Sequence, residues 1–92
     1  MSVERLNAVF SGRVQGVGFR YTVDAHARFL HLKGWVRNNG NRTVELLAEG
    51  EREKLEDLLG RVQKEMGYYI SDTKISYGPA TGQFSRFEIK FT

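Results

Sequence analysis

The sequence contains no cysteine, so neither a disulfide framework nor thiolate chemistry is open to it. No apolar stretch is long enough to cross a membrane. Met1-Ser2-Val3-Glu4-Arg5 lacks the apolar region of an export leader, and a cytoplasmic protein is expected. Two familiar phosphate loops are also missing. After Gly16-Val17-Gly18 the dinucleotide fingerprint requires glycine where Tyr21 stands, and no Gly-Lys-Ser/Thr triplet occurs. His26 and His31 are five positions apart, whereas ligands on one helix face are three or four apart. No serine sits in a nucleophile-elbow context. No metal, cofactor or covalent nucleophile is therefore expected.

What is present describes an ordinary globular chain. At 92 residues, 40% hydrophobic and 27% charged, it accommodates one domain spanning residues 1–92. A formal charge of +3 and a pI near 9.5 favour anionic partners. The basic residues are spread along the chain, which equally suits a mildly basic solvated surface.

Periodicity places the elements. Residues 5–11 read as a strand with Leu6, Ala8 and Phe10 on one face, and Val9 on the other argues for a central position. Residues 21–32 read as a helix whose stripe is Phe19, Val23, Ala27 and Leu30. A short strand at 34–38 leads through Asn39-Gly40-Asn41-Arg42 into a second at 43–49. There Val44, Leu46 and Ala48 point inward, and Thr43, Glu45 and Glu49 outward. Residues 51–66 form a second helix on Leu55, Leu58, Leu59, Val62 and Met66. Strands follow at 69–77 and 84–91, the last with Phe87, Ile89 and Phe91 on one face. The order is βαββαβ with one further C-terminal strand: a ferredoxin-like α+β sandwich, both helices on one face of a mostly antiparallel sheet.

The chain is organised around Ser11-Gly12-Arg13-Val14-Gln15-Gly16-Val17-Gly18-Phe19-Arg20. Three glycines link a strand to a helix, so backbone N–H groups can crowd against an anion at a helix N-terminus. The Arg20 fork can hold two oxygens of one phosphate. On spacing alone the run equally fits a tight turn carrying a surface arginine.

Gly12-Arg13-Val14-Gln15-Gly16-Val17-Gly18-Phe19-Arg20 resembles the signature loop of the acylphosphatase family. Gly34-Trp35-Val36-Arg37-Asn38 resembles that family's second motif at the corresponding distance, and the likeness covers nearly the whole chain. The resemblance implies the same fold and hydrolysis of the carboxyl–phosphate bond of acyl phosphates, without cofactor or metal. It implies that the backbone of Gln15, Gly16, Val17, Gly18, Phe19 and Arg20 cradles the phosphoryl group. Arg20 would grip its oxygens, and Asn38 would position the attacking water. Arg13 is left as a structural or steering charge.

Departures from the family pattern are peripheral. His31 stands where a glycine often ends the helix, Asn41-Arg42 replaces the usual Asp-Gly, and Lys64-Glu65-Met66-Gly67-Tyr68 replaces a segment with prolines and glycines. A monomer acting on a small acyl phosphate is expected, with inorganic phosphate or sulfate as product or inhibitor and with no nucleic acid or membrane partner. The alternatives are a small ferredoxin-like RNA-binding module, which lacks the RNP1-type run here, and a phosphate- or carbamoyl-phosphate-binding module.

Overall fold

Alternation at Leu6, Ala8 and Phe10 builds the first strand, and the change to helical spacing after the glycine loop builds the first helix. The computed structural model describes residues 3–91. Positions 1, 2 and 92 of the expected domain lie outside the described residues. The chain runs through β1 (Val3–Gly12), α1 (Phe19–Phe29), β2 (Lys33–Asn38), β3 (Val44–Glu51) and α2 (Arg52–Met66). A 3₁₀ turn (Gly67–Tyr69), β4 (Ile70–Pro79) and β5 (Phe87–Lys90) complete it. The sheet has five strands in the order β4-β1-β3-β2-β5. Its pairs are antiparallel except β2 with β5, which is parallel. This is the expected ferredoxin-like α+β architecture with β5 as the added strand.

One residue parity of the sheet meets both helices. Leu6, Ala8, Phe10, Val36, Val44, Leu46 and Ala48 form a single buried cluster with Phe19, Val23 and Ala27 of α1 and Leu55, Leu58 and Val62 of α2. Each large side chain so buried contributes roughly 1.5–3 kcal/mol against an exposed position. The helical stripe read from the sequence is thus the core face.

Several boundaries differ from expectation: α1 starts at Phe19 and ends at Phe29 instead of spanning 21–32, β1 to β3 and α2 shift by one or two residues, and the last two strands shift as follows. Tyr69 belongs to the 3₁₀ turn, and β4 instead runs on to Pro79, which an edge strand tolerates because its outer N–H groups have no partner to lose. The last strand is only Phe87–Lys90, since among the described residues it pairs with Gly34–Arg37 of β2 alone. Phe91 lies past its end and is exposed. Two non-glycine residues take left-handed backbone: His31 at φ 59°, as its position at the helix end suggested, and Arg42 at φ 71° in the β2–β3 hairpin. Each such residue costs on the order of 1 kcal/mol relative to glycine.

Glu49 corrects the reading of β3. It occupies the helix-free face, as alternation requires, yet is only 6% exposed. Thr81 N (2.9 Å), Thr81 Oγ1 (2.9 Å), Gly82 N (3.0 Å) and Arg5 Nε (2.9 Å) all donate to its carboxylate, because the 80–86 segment folds back over that face. Burial pushes the Glu49 carboxyl up, but these donors outweigh it and hold the pKa at about 2, below the ordinary 4.5. A depressed folded-state pKa means the stabilisation is complete above pH ~4.5 and disappears as pH falls toward 2. Glu49→Gln is expected to lower stability at pH 7 by on the order of 2–3 kcal/mol. In urea unfolding, the gap between variant and native protein should close by pH 2. A gap that stays constant from pH 7 to pH 2 would show that the charge contributes nothing.

Candidate active site

The sheet order brings together residues far apart in sequence. β1 and β2 both pair antiparallel with β3, so they run parallel and end at the same edge of the molecule. Phe10 and Asn38 pair with the same residue, Val44, from its two sides. From the end of β1 the glycine loop rises to the start of α1. Alternation along β2 places Asn38 on the same side as buried Val36, the side on which the helices lie. The loop, the first turn of α1 and the last residue of β2 therefore converge.

At Gly16 and Gly18 glycine is required by conformation rather than by space. Gly16 and Gly18 have φ of 79° and 80°, and a Cβ on either would meet no atom within 4 Å. Gln15 and Val17 do not share the positive φ. Positive φ at Gly16 and Gly18, and not at Gln15 and Val17, is the kind of alternation found in the backbone nests that bind anions. Among the described residues, none of the N–H groups of Gln15 to Gly18 donates to a backbone carbonyl. Gly18 is also the N-cap of α1, whose first turn carries no acidic residue, so the positive end of the helix dipole faces this space uncompensated.

A cavity of 160 Å³ lies there, lined by Gly16, Gly18, Phe19, Arg20 and Asn38 together with Val14 and Tyr21. That is several times the ~30 Å³ share of one water molecule and leaves room for a tetrahedral oxyanion. Gln15 and Val17, expected in the same cradle, instead line a neighbouring hollow with Gly12, Arg13 and Arg42. The Gln15 side chain acts as a tether: its Nε2 donates to the carbonyl oxygens of Asn39 (2.9 Å) and Thr43 (3.0 Å).

The asparagines separate by their partners. Asn39 Nδ2 donates to Thr43 Oγ1 at 3.1 Å and Glu45 Oε1 at 3.4 Å. Asn41 Oδ1 accepts from Thr43 N at 3.3 Å and Thr43 Oγ1 at 2.7 Å. Both side chains serve the hairpin. Asn38 Oδ1 is buried and accepts no hydrogen bond among the described residues. Buried polar atoms are nearly always paired, so an orphan on a cavity wall is an acceptor awaiting a donor.

The arginines divide in the same way. Arg5, Arg28, Arg37, Arg52, Arg61 and Arg86 each face a carboxylate within 4 Å. Among the described residues Arg20 has no such partner. Its guanidinium lies over the Phe91 ring, 5.0 Å from the centroid, a contact that places the charge without neutralising it. Neither the Phe91 contact nor the Gln15 tether was visible in the sequence. Phe91 reaches Arg20 because β5 lies beside β2, a pairing that no local pattern encodes. Elsewhere, His26 Nε2 faces Glu65 Oε1 at 2.8 Å. Among the described residues no three His, Cys, Asp or Glu side chains are grouped to hold a metal.

Fold and cavity define an α+β protein of the ferredoxin-like class, with uncommitted N–H groups and an unpaired arginine at its first strand-to-helix loop. The family model for acylphosphatase matches residues 6–89, and the chain belongs to the acylphosphatase family. An acylphosphatase of Bacillus pumilus is 40% identical over 85 residues, covering 91% of this chain and 94% of the relative. One from Pelotomaculum thermopropionicum is 39% identical over 92 residues, covering 99% and 100%. The crystal structure of acylphosphatase from Bacillus subtilis matches with a TM-score of 0.87 at 33% identity, over 95% of this chain and 98% of that one.

Proposed function

We propose that this enzyme, a hydrolase acting on acyl phosphates, holds the phosphoryl group in the cavity between the glycine loop and Arg20 and directs water onto it with Asn38. The observation that carries the proposal is the orphaned, buried Asn38 Oδ1 on the wall of the cavity that Arg20 also lines.

Little machinery is needed because the substrate is already activated. The leaving group is a carboxylate whose conjugate acid has a pKa of roughly 4 to 5, like a glutamate side chain, so it departs unprotonated. Water oxygen forms the new bond to phosphorus while the bond from phosphorus to the acyl oxygen breaks. The water's protons pass to the phosphoryl oxygens and solvent, leaving a carboxylate and inorganic phosphate. What remains for the protein is positioning and charge stabilisation. The N–H groups of the loop, from Gln15 to Arg20, and the Arg20 fork take the equatorial oxygens, where negative charge is spread in the transition state. The Asn38 carboxamide oxygen accepts from the water and fixes its line of approach. We further propose that the enzyme is a cytoplasmic monomer without nucleic-acid partners. No helix of the described residues is long and apolar enough to cross a membrane.

The test is release of inorganic phosphate from benzoyl phosphate after exhaustive treatment with chelator. Turnover unchanged by the chelator is expected. Absence of turnover, or its loss on chelation with rescue by a divalent ion, overturns the proposal.

A further inference from the structure

Beside the phosphoryl cavity lies a second hollow of 410 Å³, lined by Gly12, Arg13, Gln15, Val17 and Arg42. The glycine loop is the shared wall of the two: Gly16 and Gly18 line one, Gln15 and Val17 the other. We infer that Arg13 and Arg42 form a second anion subsite, which selects acyl phosphates whose acyl group carries its own negative charge. This rests on the reading of the first cavity as the phosphoryl site.

Three observations point to it. Arg13 and Arg42 join Arg20 as the arginines that face no carboxylate within 4 Å among the described residues, and all of them line these two hollows. Unpaired cations lining the two hollows on either side of the glycine loop, on a chain that pairs its other arginines, leave a field to be filled by an anion. Second, Arg13 is placed without being neutralised. Its guanidinium lies 6.0 Å and 5.9 Å from the ring centroids of Tyr68 and Tyr69, and the Arg13 backbone N–H donates to Tyr69 O at 2.9 Å. Third, Arg42 occupies left-handed backbone at φ 71°, where glycine would be unstrained. Strain kept at the edge of a site points to use of the side chain that bears it. A carboxylate or phosphate on the acyl group, lying over the loop while the phosphoryl group sits in the cavity, meets both guanidinium groups. A neutral acyl group meets neither.

Arg42→Gly is the informative variant, because glycine fits the left-handed backbone while the guanidinium and its stem are removed. With succinyl phosphate, kcat/KM should fall roughly three- to fivefold through KM, the scale of one ion-pair contact at an exposed site. With benzoyl phosphate, kcat and KM should stay within about twofold of the native enzyme. Arg42→Lys should recover most of the lost preference. Equal effects on both substrates would mean general electrostatic steering and would overturn the subsite. Calorimetry reads the subsite without turnover, using ω-carboxyalkylphosphonates against alkylphosphonates of equal length. The carboxylate should tighten binding to the native protein at some chain length, and Arg13→Ala or Arg42→Gly should abolish the advantage. No advantage at any length overturns the subsite. Failure to hydrolyse either acyl phosphate would instead strike the reading of the first cavity.

Discussion

Arg20→Gln should lose turnover and phosphate binding together. An arginine that neutralises a transferring phosphoryl group accelerates the reaction by about three to five orders of magnitude, so turnover should slow roughly a thousandfold or more. Glutamine retains length and a donor but not the charge or the two-pronged fork. The variant should still fold, because Arg20 forms no ion pair among the described residues and its ring partner, Phe91, is itself exposed. Calorimetry with inorganic phosphate separates binding from chemistry: affinity should drop to the limit of detection, and sulfate should behave likewise. Unchanged phosphate affinity in folded Arg20→Gln would remove Arg20 from the site.

Asn38→Ala should show the opposite split. Here turnover should slow roughly a hundredfold or more, the usual loss when one preorganised polar group at a reacting centre is removed. Phosphate affinity should hardly move, because the carboxamide is assigned to the water and not to the phosphoryl oxygens. A rise in KM alone would instead mark Asn38 as a plain substrate contact. Stability supplies an independent check. Asn38 Oδ1 accepts no hydrogen bond among the described residues, so alanine removes a buried, unsatisfied acceptor and should leave the melting temperature unchanged or higher. Asn41→Ala is the control from the same hairpin. It deletes two hydrogen bonds to Thr43 and should cost about 1 kcal/mol of stability with nearly native turnover. Near-native turnover in folded Asn38→Ala would end the water-positioning role.

The helix face of Phe19, Val23, Ala27 and Leu30 is legible in the sequence because period alone decides which side of a helix is apolar. Glu49 is not. Alternation assigns it to the helix-free face, but what covers that face is the 80–86 segment, which arrives through pairings remote in the chain. Phe91 is illegible for the same reason, since its contact with Arg20 depends on β5 choosing β2 as its neighbour. Asn38 stands between these cases. Spacing cannot separate it from Asn39 and Asn41, and the resemblance alone selects it. The hydrogen bonds then supply a physical distinction, with two asparagines committed to the hairpin and one left open.

The Gln15 tether joins two segments that the chain could otherwise have let move separately. Its Nε2 is held by carbonyl oxygens on both sides of the β2–β3 turn. Moving Gln15 away from the hairpin means breaking both of these hydrogen bonds. The ordering entropy of the nest is settled when the chain folds rather than when substrate arrives.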